Sequence, residues 1–311
     1  MRLETLFDRA PMWVPILLLL MAVNPVQGAP EHTTELAIRC DDVGMCHAVN
    51  EGVRRLLATG VPFSTSVMIA CPWYREAVEI LRDQPQVSVG VHLTLNSEWE
   101  HYKWGPVLGA SRVPTLVDGN GHFHTTSAEF AAADVDLGEV ESELRAQIEL
   151  ALQTGLKIDY LDYHMLTAIS TPELQALVES LAAEYGFGLS RYFGEPSVSL
   201  WDVDPEKKLE ELLTTLDRLE PGTPTLLVMH LGIDGPEMAA LIDVNNPTDS
   251  NRVGIHRGAE LEALLSPEFR QAIADRGIQL VNYRDIIERY GLDSMRRPAG
   301  PGYSMNTEPD P

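Results

Sequence analysis

Short apolar runs alternate with helix-patterned segments along most of the chain, and this alternation constrains the fold more than any other feature. Runs at residues 35–40 (ELAIRC), 66–70 (SVMIA), 87–95 (VSVGVHLTL), 158–163, 188–192, 225–230 (TLLVMH) and 278–281 read as strands. Segments at 47–58, 73–82, 137–154, 171–185, 205–219, 259–275 and 283–290 carry apolar residues at helical spacing. The segment at 171 opens with Thr171-Pro172, an N-cap followed by proline at the first helical position. About seven strands alternating with helices predict a parallel sheet with helices packed on it. Only residues 96–134 break the pattern. Gly, Pro, His and Trp crowd that stretch, which reads as an ordered excursion near a site.

An open doubly wound sheet and a barrel both satisfy this alternation. No glycine-rich phosphate loop follows the first strand, which argues against a nucleotide-binding sheet. The positions of the polar residues favour the barrel. Asp41 and Asp42 end the first strand, His92 lies near the end of the third, His164 follows the fourth and His230 ends the sixth. In a parallel barrel those C-terminal strand ends meet on one face, where barrel active sites lie. The expectation is a single-domain α/β protein, an irregular (β/α) barrel over residues 29–292, with a disordered tail over 293–311.

The N-terminus carries Arg2 and Arg9, an apolar run at 12–23, then Asn24-Pro25 and small residues around Gly28. That order reads as a secretory signal over residues 1–28, predicting export to a periplasmic or extracellular space with no membrane span after cleavage. The rival reading is an uncleaved signal anchor. A formal net charge of -23 disfavours nucleic acid and anionic lipid as partners. The three cysteines, Cys40, Cys46 and Cys71, lack the spacing of a zinc ribbon or redox motif and read as small buried hydrophobes.

Two adjacent carboxylates at a strand end are expected to point opposite ways, because side chains alternate, and so to do different jobs. His92 faces away from Val91 and Leu93. Together with His164 and one Asp it makes a two-histidine, one-carboxylate set, which leaves coordination positions open for water and substrate. The same set occurs in non-heme iron oxygenases. A hydrolytic reaction at such a metal needs a base for water and an acid for the leaving group, and Asp41 and His230 fit those roles. In the irregular stretch Trp104, with Trp99 and Tyr102, is a candidate substrate-binding residue. Arg252, in the polar segment 245–256, is a second substrate-binding candidate.

The order of these pieces resembles the YdjC/ChbG-type carbohydrate deacetylases, relatives of the polysaccharide deacetylases. The resemblance runs through Arg39 to Gly44, Val49 to Gly52, Gly60 to Met68, Gly90 to Leu95, Leu161 to His164, Met229 to Gly232, Arg257 to Leu261 and Gly277 to Ile286. It implies a deformed barrel that hydrolyses N-acetyl groups from sugars. It implies a divalent metal, Zn or Mg ahead of Mn, Co, Ni or Fe, held by Asp42, His92 and His164. It further implies Asp41 as base and His230 as acid. Two departures stand out. The family places Asn-Ala before its Asp-Asp pair and Phe after it, where this chain has Arg39-Cys40 and Val43. The family's later motif reads Asp-x-His-x-His-x-His, whereas only His164 survives in Asp162-Tyr163-His164-Met165-Leu166-Thr167. Two rival functions remain: a sugar-binding protein without catalysis on the same scaffold, and an Fe(II) redox enzyme using the same triad. The second is expected on a jelly-roll of strands.

Overall fold

In the computed structural model, residues 33–298 are described, and they fall within one compact unit. The N-terminal signal segment and residues 299–311 lie outside the described residues. The chain runs β1 (Glu35–Val43), α1 (His47–Leu57), β2 (Phe63–Val67), α2 (Tyr74–Leu81), β3 (Val87–Leu93), α3 (Ser127–Ala132), α4 (Leu137–Gln153), β4 (Ile158–Tyr163), α5 (Pro172–Tyr185) and β5 (Gly188–Leu189). It continues through β6 (Ser197–Ser199), α6 (Lys208–Asp217), β7 (Thr225–Met229), α7 (Pro236–Ala239), α8 (Val253–Leu265), α9 (Pro267–Arg276), β8 (Gln279–Val281) and α10 (Tyr283–Tyr290).

Seven strands form one path, β5-β4-β3-β2-β1-β7-β6, and β8 pairs with the start of β1. Every strand pair is parallel. The sheet is curled. In a flat sheet β1 and β4 would stand about 14 Å apart, three strand spacings. Instead Arg39 on β1 reaches Asp162 on β4 at 2.9 Å, and its guanidinium also reaches the Ser190 hydroxyl beyond β5. Among the described residues no pairing joins β5 to β6, so the barrel stays open between two short edge strands.

Period-two alternation divides the strand side chains into two layers. Leu36, Ile38, Val87, Val89, Val91, Leu161 and Leu227 face the helices and form the main core. Ala37, Tyr160, Leu226, Val228 and Val281 face inward and pack with Tyr283 and Ile286. Tyr160 and Tyr283 stack at 4.4 Å between ring centroids. Gly90 makes room for this plug, since a Cβ there would stand 2.5 Å from the Tyr160 ring. One step further along the same inward faces come Arg39, Asp41, His92 and Asp162. The apolar plug therefore floors a polar mouth at the C-terminal strand ends.

Some boundaries differ from the sequence expectation. β2 starts at Phe63, earlier than expected, and β6 is too short and too serine-rich to register as an apolar run. The helix expected over 259–275 is two helices, α8 and α9. Ser266 is extended (φ -62°, ψ 145°), its hydroxyl caps α9 by accepting from the Phe269 N–H, and Pro267 opens the new helix. Residues 293–298 are not the free tail expected. The Arg296 N–H donates to the Tyr192 carbonyl, and Arg297 pairs with Glu179. Cys40, Cys46 and Cys71 are free and buried, and burial raises all three thiols above their ordinary pKa. Among the described residues no helix is long and apolar enough to cross a membrane.

Candidate metal centre and its cavity

The two carboxylates that end β1 do not point apart. The β1–β2 register shifts between Cys40 and Val43, and Asp42 takes a left-handed conformation with φ 62°. This irregularity turns the second side chain back toward the first, as bulges near active sites do. Asp tolerates that backbone better than most residues. Both Asp41 and Asp42 are buried and line one cavity of about 560 Å³, a size ordinary for small-molecule sites. Their partners nevertheless differ, as two separate jobs require.

Asp42 Oδ1 lies 3.1 Å from His164 Nδ1 and 3.4 Å from His92 Nε2. The three ligand atoms lie within 4.8 Å of one another, and all three residues are buried. Asp42 Oδ1 has no well-aligned hydrogen bond to either ring, a costly state for a buried carboxylate oxygen. The other nitrogen of each ring is backed by a further carboxylate. His164 Nε2 lies 2.9 Å from Glu98 Oε2. His92 Nδ1 lies 2.9 Å from Asp162 Oδ2, without the alignment of a full hydrogen bond. Carboxylates on the far nitrogens leave the near nitrogens to point at a common centre, the wiring typical of metal-ligating histidines. The donor set fits a divalent cation with open positions, and an orphaned oxygen facing two imidazole nitrogens is what such a cation would satisfy.

Charges around the triad are tightly balanced. Burial works against ionised Asp42, but Arg257 and the two histidines outweigh it and hold the carboxyl well below its ordinary range. Burial also opposes charge on the rings, yet the surrounding carboxylates push His92 up to about 9 and His164 up to about 10. Arg257, on α8, donates from Nη2 to Asp42 Oδ2. Its guanidinium sits 5.8 Å from the Trp99 ring centroid and 5.6 Å from that of Trp201. Held between two indoles, it has little freedom to leave Asp42.

Asp41 is engaged differently. Arg39 grips both its oxygens, each at 2.7 Å, and also pairs with Asp162. Each Asp41 oxygen keeps a further lone pair for a proton. His230 follows β7, lines the same cavity, and leaves Nδ1 without a partner. Its backbone N–H donates to Glu260, which is buried and paired at 2.7 Å with the equally buried Lys208. Burial lowers the His230 pKa below its ordinary 6.5.

Sequence reasoning brought Asp41, Asp42, His92, His164 and His230 to one face, and the structure gathers all five around one cavity. The two substrate-binding candidates lie elsewhere. Trp104 is buried behind His164, with its ring 6.1 Å from the imidazole and its Nε1 donating to the Asn96 carbonyl. Arg252 caps the start of α8, pairs with Asp249 at 3.3 Å and is absent from the cavity wall. The tryptophans that do line the cavity are Trp99 and Trp201. Sequence reasoning also missed Glu98, Asp162 and Arg257 as partners of the triad. Asp162 and Arg257 stood inside segments carrying the family resemblance. Glu98 lies in the irregular stretch, where no periodicity marks a side chain as inward.

The profile of the YdjC-like protein family matches residues 35–275. A carbohydrate deacetylase from Listeria monocytogenes serotype 4b is 33% identical over 259 residues, spanning 81% of this chain and 100% of the relative. A carbohydrate deacetylase from Enterococcus faecalis is 30% identical over 266 residues, spanning 81% and 98%. A crystal structure of an Enterococcus faecalis protein with the provisional name cellobiose-phosphate cleavage protein superposes with a TM-score of 0.67 at 26% identity, covering 82% of this chain and 99% of that one.

Proposed function

Because the chain belongs to the YdjC-like family, we propose that it is a metal-dependent carbohydrate deacylase, a hydrolase that removes N-acetyl or related acyl groups from a sugar. The observation that carries this reading is the convergence of Asp42, His92 and His164 on one point, in a cavity that also holds Asp41 and His230. The names of the curated relatives support the same reaction class.

A divalent ion held by Asp42, His92 and His164 would polarise the acyl carbonyl and lower the pKa of a water. Asp41, oriented by Arg39, takes the proton as the water oxygen bonds to the acyl carbon. The carbon–nitrogen bond then breaks, and His230 gives the departing nitrogen its proton. One amide and one water become one amine and one carboxylic acid. Glu98 and Asp162 hold the two rings at the angle the ligands need, and Arg257 fixes the second oxygen of Asp42. The Fe(II) oxygenase alternative expected a jelly-roll, and the all-parallel α/β sheet supports the hydrolase instead.

The test is elemental analysis of purified protein, followed by assay of free amine released from acylated amino sugars with each candidate metal. Stoichiometric metal with amine release supports the reading. Sugar and metal binding without turnover on any substrate would favour the binding-protein alternative. Export is part of the same proposal, motivated by the basic, apolar and small-residue order of residues 1–28. Sequencing of the secreted protein should find a mature N-terminus near Ala29, whereas intact Met1 on cytoplasmic protein would remove the idea.

A further inference from the structure

The segment directly after His164 is strained, and it lines the cavity. Met165 (φ 48°, ψ 24°) and Leu166 (φ 59°, ψ 6°) both adopt left-handed conformations that non-glycine residues rarely take. Two such residues in succession persist only where their surroundings dictate them, and they cluster at ligand-binding sites. The surroundings here are specific. Thr167 Oγ1 donates to Asn96 Oδ1 at 2.9 Å, Ser127 Oγ lies 2.7 Å from Thr167 Oγ1, and Asn96 Nδ2 lies 2.9 Å from Met165 Sδ. Gly or Asn would relieve the strain, yet the chain spends it on two long aliphatic side chains.

Those side chains are not simply core. Both are half-buried and line the cavity of the metal triad; Leu166 also packs against the main core, whereas Met165 belongs to neither hydrophobic cluster. Together they give this side of the cavity an apolar wall. Tyr163 and Trp201 line the same cavity. An acetyl group offers a single methyl to such a wall. The wall begins at the residue next to His164, which would hold the metal that polarises the acyl carbonyl, so the acyl group is the part of the substrate brought nearest to it.

The geometry points to an acyl group longer than acetyl, seated against Met165 and Leu166, as the group this enzyme removes. The inference rests on the hydrolase reading above, which supplies the reaction. The sugar hydroxyls would face the polar remainder of the cavity, which includes Asp202, Asp243, Asn245 and Asn246.

The experiment compares the metal-loaded full chain with Leu166→Asn and Leu166→Ala. Asn keeps the left-handed backbone at low cost while removing the apolar surface, and Ala controls for polarity. Thermal unfolding checks that each variant folds. Amine release is measured from N-acetyl-, N-propionyl- and N-butyryl-glucosamine glycosides carrying either a methyl or an octyl aglycone. Binding of acetate, propionate and butyrate is measured separately by calorimetry. The expected result is a kcat/KM for butyryl about tenfold or more above acetyl in the parent chain, the scale of one or two buried methylenes. In Leu166→Asn that ratio should collapse toward one. An acetyl preference in the parent, unchanged by Leu166→Asn, would overturn the inference. So would a preference that follows the aglycone and ignores the acyl chain. If no glycoside is cleaved but longer carboxylates still bind more tightly, and Leu166→Asn abolishes that trend, the acyl wall stands and the hydrolase reading has failed. Flat carboxylate binding without cleavage sinks both.

Discussion

Of the three groups of histidines and carboxylates that could hold a cation among the described residues, two lie in different parts of the fold and differ in what surrounds them. One is Asp42, His92 and His164 at the barrel mouth; the other is His47, Glu51 and Glu76 on the outer face of α1 and α2. In the outer cluster every ligand has other work. Glu76 accepts from the His47 ring at 2.9 Å and from Asn50 Nδ2 at 2.9 Å, while Glu51 pairs with Arg54 at 2.7 Å. The His47 side chain is 48% exposed. In the inner cluster the outward nitrogens face Glu98 and Asp162, all three residues are buried, and Asp42 Oδ1 lacks an aligned hydrogen bond. The difference separates the two as candidates: the inner donors are oriented by partners on their far side, whereas the outer donors are already engaged with one another and with Arg54 and Asn50.

Removing ligands breaks the comparison most severely. Asp42→Ala, His92→Ala and His164→Ala should each abolish tight metal binding and turnover, read by elemental analysis and amine release. Glu51→Ala should change neither. Loss of metal from Glu51→Ala with retention in the other three would reverse the assignment of the two clusters.

The proton-transfer groups sharpen the comparison within the inner cavity. Asp41→Asn and His230→Ala should retain metal while losing about a hundredfold or more in kcat, the usual scale of general acid–base contributions. The pH profile assigns His230 its role. Burial holds its pKa below 6.5, so the ring is mostly neutral at pH 7. As an acid it works only when protonated, and kcat/KM should fall as pH rises through that lowered pKa. A limb that rises through the same pKa and disappears in His230→Ala would make the ring the base.

The sequence made much of this legible because barrels place strand ends on one face. Five polar residues at the ends of apolar runs were enough to anticipate a shared barrel mouth, whereas the choice of Asp42 as the third member of the triad came from the family resemblance. Asp42 shows where alternation fails. A left-handed residue in a bulge leaves no pattern in composition, so alternation set the two side chains on opposite faces although both were assigned to one site. Glu98 and Trp201 were hidden for a different reason. They lie outside regular elements, where side-chain direction follows tertiary contacts and not a period. Trp104 drew attention for its residue type alone, and its ring proved to be packing behind His164.

Second in line behind the ligands, Glu98→Gln and Asp162→Asn should weaken metal binding by about 10–100-fold without abolishing it. The same carboxylates set the pH dependence of that binding. In the metal-free chain His92 is pushed up to about 9 and His164 up to about 10, so both rings are protonated at pH 7. Their charged forms stabilise the metal-free fold fully below the ordinary pKa of 6.5, and that contribution is lost as pH rises through 9 to 10. Metal binding runs the opposite way, because each ring must release its proton. Affinity should therefore rise with pH by up to about a hundredfold per unit below pH 9 if two protons leave. Calorimetry in buffers of differing ionisation enthalpy counts those protons. Release of none would mean that the rings are neutral before metal arrives.

The smallest effect belongs to the outer cluster, and it completes the contrast. The His47 pKa is raised by its hydrogen bond to Glu76, with slight burial opposing. A raised pKa means that the charged pair stabilises the fold at pH below 6.5, and that this contribution fades as pH rises through the higher folded value. The pair is open to solvent and screened, so its worth is at most about 1 kcal/mol. His47→Ala is the cleaner probe, because Glu76 then keeps its bond to Asn50, whose Oδ1 accepts from the Gly44 N–H near the site. Thermal unfolding at pH 5.5 should fall slightly on His47→Ala, the deficit should vanish by pH 9, and metal content should not move at either pH. A drop in bound metal would mean that the outer cluster competes for the ion, and the separation of the two clusters as candidates would fail.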